Sequence, residues 1–100
     1  MAEHPLSTLE KLDPAMMKHL RECDALIYGD GALPQKIKLL IAMAFDAAEG
    51  AEAGVRALAA QAMRSGATKE EIAETLRVAF HLSGVGTLYT ASLGLKDLFG

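Results

Sequence analysis

The sequence predicts an all-α protein, a bundle of five to six helices in a single domain over residues 1–100. Apolar residues recur every three or four positions along most of the chain, which is the period of an amphipathic helix. Capping residues and glycines separate these stretches, as expected where helices begin and end. No segment alternates apolar and polar residues with the period of two that a half-buried strand shows. We therefore expect no β-sheet.

The centre of the chain, residues 34–66, predicts two helices that meet at a short turn around Glu49 and Gly50. The seven consecutive apolar residues at 39–45 predict that the first helix of this pair is buried on nearly every side. The second helix carries a predicted buried stripe at Val55, Leu58, Ala59 and Ala62. On its outer side, Glu52 and Arg56 have the i, i+4 spacing of a favourable ion pair.

The N-terminal third predicts a tail followed by helical segments. Residues 1–6 are expected to be mobile, and Ser7 and Glu10 have the spacing of a capping box. Asp13, which precedes a proline, is a stronger helix start, with the aspartate as N-cap. This helix is expected to end at Tyr28, before a glycine. Its apolar stripe comprises Met16, Leu20, Cys23 and Ile27.

The C-terminal third predicts two more helices. Gly66 has the position of a C-cap glycine, and Thr68 with Glu71 forms a second capping-box sequence. The inner face of the helix that follows is predicted at Ile72, Leu76, Ala79 and Phe80. Residues 84–86 should interrupt this helix, and a last helix should cover residues 87–98.

Small residues recur every four positions on that last helix, at Gly86, Thr90 and Gly94. Such spacing allows close approach by another helix. The partner helix could belong to the same subunit or to a neighbouring one, and the sequence leaves both alternatives open.

The composition favours a helical protein that associates with itself. The chain is 51% apolar and contains eighteen alanines but no tryptophan. Excess apolar surface on a small domain is typical of a subunit interface. We also considered a membrane span over residues 78–95, which lack formal charge when histidine is neutral. Several glycines, serines and threonines dilute its hydrophobicity, so a helix between subunits is the better interpretation.

The charge and cysteine content exclude several other classes. The net charge is −3 and no Lys/Arg cluster occurs, which argues against nucleic acid and anionic membranes as partners. The one cysteine cannot form an internal disulfide or a Cys-rich zinc site. The acidic N-terminus has no apolar signal core. A cytoplasmic protein without metal or cofactor is therefore expected.

One helix carries candidate acid–base residues. A polar stripe opposite its inner face comprises Glu70, Glu74, Arg77 and His81. We expect His81 to be partly buried because it lies between two apolar residues, and we take His81 and Glu74 as candidate catalytic groups. The other interpretation is a solvated helix face with salt bridges.

Two further groups of polar residues were considered. His19 and Cys23 have i, i+4 spacing, but a metal site needs further ligands, which the neighbouring sequence lacks. Asp46, Glu49 and Glu52 flank the central turn without the loop spacing of a cation site. Phosphate-loop, dinucleotide and nucleophile-elbow motifs are absent from the sequence.

Residues 33–84 resemble the carboxymuconolactone decarboxylase family, which includes the alkylhydroperoxidase D-like proteins. The most specific part is the segment GATKEEI at residues 66–72, followed by Leu76 and by the Val-Ala pair at 78–79. The Pro34 helix start and the alanine-rich turn at Gly50 also match. The resemblance implies an all-helical fold and a homo-oligomer, commonly a trimer or hexamer.

The resemblance also implies where the chemistry of the family would lie. Its thiol peroxidases carry a Cys-x-x-Cys pair at the start of the helix after the central turn, with a histidine and a glutamate nearby. The corresponding positions in this sequence are Ala51, Gly54, Leu58 and Leu39. Because none of these side chains can supply a thiolate or an acid–base group, the known activities of the family do not transfer to this sequence by motif. Its decarboxylase branch has a histidine at the position of Leu58.

Three functions remain as hypotheses. The first is a non-redox family member that binds a small organic molecule or acts as an oligomeric partner module. The second is an enzyme, of decarboxylase or lactone type, that uses His81 and Glu74 beside a ligand pocket of Met43, Leu58 and Phe80. The third is peroxidase action through Cys23, although its place on an apolar stripe favours an unreactive thiol.

Overall fold

The computed structural model describes residues 6–100, which form α-helices joined by short loops. In chain order the helices are α1 (Ser7–Leu12), α2 (Pro14–Tyr28), α3 (Gln35–Glu49), α4 (Glu52–Arg64), α5 (Lys69–Ser83) and α6 (Gly86–Phe99). No strand occurs between residues 6 and 100. The predicted all-α class is confirmed, with six helices. The tail predicted at residues 1–6 lies outside the described residues, except for Leu6 in the turn before α1.

The side-chain caps predicted for α2 and α5 are confirmed. Asp13 Oδ1 accepts a hydrogen bond from the backbone N–H of Met16 at 3.0 Å. At α5, the backbone N–H of Glu71 donates to Thr68 Oγ1 at 3.1 Å, and the backbone N–H of Thr68 donates to Glu71 Oε1 at 2.9 Å. These bonds satisfy backbone donors that the first turn of a helix leaves unpaired.

The start of α1 differs from the prediction, whereas α3 begins directly after Pro34 as expected. The helix α1 begins at Ser7, but its N-cap is Leu6 and no side-chain cap bond is made. The predicted capping box requires Ser7 as the N-cap, but Ser7 is already the first residue of the helix. That part of the prediction was therefore wrong. At α3, the loop residue Asp30 accepts a hydrogen bond from the backbone N–H of Gln35 at 2.8 Å.

The predicted turn between α3 and α4 is confirmed. Gly50 has φ of +83°, a left-handed conformation that side chains rarely adopt, and it ends α3. The backbone N–H of Ala51 then donates to the carbonyl of Asp46 at 2.9 Å. The two helices are therefore held as a tight antiparallel hairpin. Residues 84–86 separate α5 from α6, as predicted.

The core lies between α3, α4, α5 and α6, and the contact between α3 and α4 is the most extensive. The helices α1 and α2 pack at its edge, and Met17 is the buried residue of α2. The core cluster comprises Leu39, Leu40, Met43, Ala47, Val55, Ala59, Ala62, Ala67, Ile72, Leu76 and Ala91. Five of these eleven residues are alanines, so the helices pack closely around little side-chain volume.

Two predictions of burial were wrong for the protomer. The helix α3 is buried on one side only, since Ile41 is 45% exposed and Phe45 is 66% exposed. The ends of the apolar stripe predicted on α2 are also exposed, Met16 at 46% and Ile27 at 54%, whereas Leu20 and Cys23 between them are half-buried. In both helices the apolar sequence extends beyond the face that its neighbours cover.

The predicted ion pair on α4 is replaced by a longer-range one. Arg56 Nη1 lies 2.9 Å from Asp97 Oδ2 on α6 rather than pairing with Glu52. A second pair joins α3 to α5, with Lys36 Nζ 3.0 Å from Glu71 Oε2. The hydrogen bond from the backbone of Thr68 and then that from Lys36 lower the pKa of Glu71. The stabilisation that these bonds to the Glu71 carboxylate give the folded protein is present above the ordinary glutamate pKa. It is lost as the pH falls through the lowered pKa.

The helices α4 and α6 approach each other closely at Gly94. A Cβ placed there would be 2.8 Å from the carbonyl oxygen of Glu52 and 2.9 Å from Cβ of Val55, both on α4. The buried line on α6 is Thr87, Ala91 and Gly94, whereas Gly86 has no atom within 4 Å of such a Cβ. The small-residue spacing therefore serves packing inside the protomer at Gly94 but not at Gly86.

No helix between residues 6 and 100 is both long enough and apolar enough to cross a membrane. Residues 78–95, which we considered as a span, are divided between α5 and α6.

We expect Gly94→Ala to lower the free energy of unfolding by about 1–3 kcal/mol, because the added methyl group overlaps backbone and Val55 atoms that cannot easily move. Denaturant titration followed by circular dichroism measures the change. Gly86→Ala on the same helix is the matched control, with an expected change between zero and a gain of about 1 kcal/mol. Equal effects of the two substitutions would contradict the close approach.

Candidate functional site at the start of α4

The candidate site is the place where α3 ends and α4 begins, since the motif positions implied by the family resemblance lie there. Ala51 is the N-cap of α4, and Gly54 lies in its first turn. The first turn of a helix presents backbone N–H groups and a positive field, which favour an anion or a thiolate. The backbone of this site is therefore suited to such chemistry, and its side chains decide whether any takes place.

The space beside Gly54 is filled by the carboxylate of Asp46. A Cβ placed on Gly54 would lie 2.0 Å from Asp46 Oδ2 and 2.7 Å from Asp46 Cγ. Real atoms do not approach so closely, so a side chain at position 54 requires Asp46 to rotate away. The sequence places aspartate and glycine eight positions apart, and only the fold of the hairpin brings them together.

The other two motif positions are part of the apolar core. Leu39 is 2% exposed, and Leu58 packs against the core cluster. These side chains hold α3 and α4 together and offer no donor, acceptor or nucleophile. Of the four motif positions, none therefore carries a group that could react at the start of α4.

Asp46 is the titratable group of this site. Burial raises its pKa above the ordinary aspartate value, and the negative charge of Glu49 raises it further. Tyr28, at the end of α2, packs against the core nearby. Burial raises the pKa of the Tyr28 hydroxyl, and the charges of Asp24 and Asp46 add to that effect. The titratable groups at this site are thus acidic and partly buried.

These features define a class of protein: a small all-helical domain built on an alanine-rich helical hairpin. A search of curated proteins gave no significant match. The sequence matches the carboxymuconolactone decarboxylase family over residues 14–97, beyond the residues 33–84 that carry the resemblance. The chain therefore belongs to the carboxymuconolactone decarboxylase family.

A crystal structure is similar to this chain over most of its length. It is that of apo-lpg0406, a carboxymuconolactone decarboxylase family protein from Legionella pneumophila, with 31% sequence identity and a TM-score of 0.83. The alignment covers 91% of this chain and 81% of that one. The shared fold confirms the predicted helical architecture.

The predicted acid–base pair lies on the outer face of α5. Glu74 and His81 are both exposed, so the expectation that His81 is partly buried was wrong for the protomer. The rise of an α-helix separates residues seven positions apart by about 10 Å, which is too far for a direct hydrogen bond. No hydrogen bond or ion pair joins the two within residues 6–100. Catalysis by His81 and Glu74 stays a prediction, and it requires a substrate that reaches both.

The residues predicted to form a ligand pocket have different environments. Met43 is fully buried, Leu58 packs on the core, and Phe80 is 41% exposed. None of the three lines the groove described below. A pocket formed by this set stays a prediction.

His19 and Cys23 lie together on α2, away from the start of α4. The Cys23 sulfur is 3.6 Å from His19 Nε2, and the thiol is half-buried. Within residues 6–100, no three His, Cys, Asp or Glu side chains are grouped as a metal site would require. Cys23 has no second cysteine to pair with, since the sequence contains no other.

Sequence reasoning missed a groove between the first half of α5 and the second half of α6. The groove has a volume of about 420 Å³. It is lined by Lys69, Ile72, Ala73, Leu76, Ser92, Leu93, Leu95, Lys96, Phe99 and Gly100. The helical spacing of apolar residues on both helices is a signal for this groove. Lys69 and Lys96, however, are far apart in the sequence, and no sequence pattern pairs them.

We expect Asp46→Asn to raise the free energy of unfolding at pH 7. The raised pKa of Asp46 means that its charged form is less favourable in the folded protein than in the unfolded chain. The stability that Asp46 contributes is therefore full below the ordinary aspartate pKa, where the carboxyl is protonated, and is lost as the pH rises through the raised pKa. The neutral amide removes that loss.

The measurement is chemical denaturation of both proteins between pH 3 and pH 8. The advantage of Asp46→Asn should shrink as the pH falls, whereas Glu22→Gln, at an exposed position on α2, should show no such trend. An advantage of Asp46→Asn that is independent of pH would contradict the assignment.

Proposed function

We propose that this protein is a non-redox member of the carboxymuconolactone decarboxylase family, a homo-oligomeric helical module that binds a small organic molecule. The observation that carries the proposal is the start of α4, where the motif positions are Ala51 and Gly54 and the carboxylate of Asp46 fills the space beside Gly54. A thiol peroxidase needs a thiolate that attacks the peroxide and a second thiol that resolves the sulfenic acid. Neither group can be supplied there.

The lone thiol does not replace the missing pair. Cys23 lies on α2, and its sulfur has His19 as its polar neighbour. A sulfenic acid formed on Cys23 would have no resolving cysteine within the chain, since the sequence contains no other. Peroxidase action through Cys23 would therefore depend on an external thiol at every turnover.

Oligomer formation is supported by an apolar surface that we call the α3–α5 face, which comprises Ala44, Phe45, Ala48, Val78 and Leu82. These residues line a shallow groove of about 190 Å³ between the two helices. Val78 is 64% exposed and Leu82 is 80% exposed. A contiguous apolar surface of this kind on a small protein is typical of an interface. Because its lining carries no charge, a neighbouring copy of the protein can pack on it without desolvating an ion of this face.

We expect the purified protein to show no catalytic reduction of cumene hydroperoxide with dithiothreitol as donor. The rate of hydroperoxide loss should equal that without protein, and Cys23→Ser should leave it unchanged. Colorimetric assay of the remaining hydroperoxide provides the measurement. Multiple turnovers by the wild type that Cys23→Ser abolishes would overturn the non-redox proposal and favour Cys23 as the nucleophile.

We expect size-exclusion chromatography with light scattering to give a mass that is a multiple of 10.6 kDa, a trimer or a hexamer. Phe45→Asp should reduce this mass, because it puts a charge into the α3–α5 face. The helix content should be kept, since Phe45 is 66% exposed in the protomer. Leu26→Glu is the control, on α2 at a residue that is 85% exposed. A monomeric wild type, or loss of mass only in Leu26→Glu, would refute the α3–α5 face as the interface.

A further inference from the structure

We propose that the groove between α5 and α6 binds a hydrocarbon carboxylate, with its apolar body on the floor of the groove and its anionic group between Lys69 and Lys96. This inference deepens the proposed function and rests on it, since it names the class of small molecule and the place where it binds.

The floor of the groove is apolar and built on rigid elements. Ile72 and Leu76 are core residues of α5 with 2% and 9% exposure, so the base of the groove is fixed by the packing of the protein. Leu93 and Phe99 of α6 are 57% and 40% exposed and form the opposite wall. The volume of about 420 Å³ lies in the range of small-molecule sites. A hydrocarbon body would remove this apolar surface from water.

The charged side chains of the groove are both cations. Lys69 and Lys96 line it, and no Asp or Glu side chain does. Neither ammonium group takes part in an ion pair within residues 6–100.

The acidic residues closest in sequence are bound to other cations or lie outside the groove. Glu71 pairs with Lys36 at 3.0 Å, and Asp97 pairs with Arg56 at 2.9 Å. Glu70 is exposed and does not line the groove. The nearby Asp and Glu side chains therefore do not neutralise the two lysines, which leaves both for an anion from solution.

The occupant that fits both features is an amphiphilic anion. A small anion such as acetate satisfies the lysines but not the floor, and a neutral hydrocarbon satisfies the floor but not the lysines. A second protein copy is a weaker fit, because the groove lies on the first half of α5, whereas Val78 and Leu82 of the uncharged α3–α5 face lie on its second half. A monocarboxylate with a chain of several carbons meets both requirements.

The test titrates octanoate, 1-octanol, octylammonium and acetate into ¹⁵N-labelled protein and follows the amide shifts of α5 and α6. Octanoate should bind with shifts centred on the groove, 1-octanol about fivefold to tenfold more weakly, and acetate and octylammonium not measurably. Each of Lys69→Gln and Lys96→Gln should weaken octanoate binding about two- to fivefold, as expected for exposed ion pairs. Lys18→Gln, an exposed lysine on α2, is the matched control and should change nothing.

The floor of the groove is tested by Ala73→Phe. Ala73 is exposed at the groove, so the larger ring fills it without entering the core, and octanoate binding should be lost while the helix content is kept. A lower oligomer mass in Ala73→Phe would instead identify the groove as a subunit interface and overturn the proposal.

Other outcomes separate this inference from the proposed function. Equal binding of octanoate and 1-octanol, with no effect of the lysine substitutions, would refute the anion site. Octanoate shifts centred outside the groove would refute this location but leave small-molecule binding intact. Catalytic peroxide reduction would refute the non-redox function while leaving the octanoate result to stand on its own.

Discussion

The structure depends on how closely α4 and α6 approach at Gly94. A Cβ at this position would overlap the backbone of Glu52 and the side chain of Val55, so the distance between the helices is set by the missing side chain. Alanines continue the same contact, with Ala59 and Ala91 almost fully buried. Close packing gains dispersion energy over many small contacts, although each alanine buries little surface of its own.

The same constraint explains why so much apolar surface remains outside. A bundle of closely packed alanine-rich helices has little interior volume, so it cannot also enclose the large side chains of its outer faces. Ile41, Phe45 and Leu82 are exposed for this reason, even though the sequence around each is strongly apolar. Surface that the protomer cannot cover is available to a neighbouring copy or to a ligand. The α3–α5 face and the groove beside α6 are two such surfaces.

Local features of the fold could be predicted from the sequence, because their causes are local. Asp13 and Thr68 cap helices through bonds to residues three positions away, and Gly50 ends α3 through its own backbone conformation. Burial could not be predicted equally well, since it depends on which helix lies opposite. The apolar run of α3 and the position of His81 between apolar residues both indicated burial, yet Phe45 and His81 are exposed.

The candidate site shows the same division between local and long-range causes. The family resemblance indicated which positions to compare, and the sequence alone shows that the side chains at those positions are unreactive. It could not indicate that Asp46 lies over Gly54, because this contact needs the hairpin to be closed. It also could not indicate that Lys69 and Lys96 share a groove, because α5 and α6 must first pack.

The contact between Asp46 and Gly54 limits which side chains position 54 can carry. A cysteine at position 54 would bring its Cβ against the Asp46 carboxylate unless that flexible side chain rotated away. A carboxylate that stayed in place would also disfavour a thiolate beside it by charge repulsion. The residue at position 54 and the conformation of the Asp46 side chain are therefore coupled.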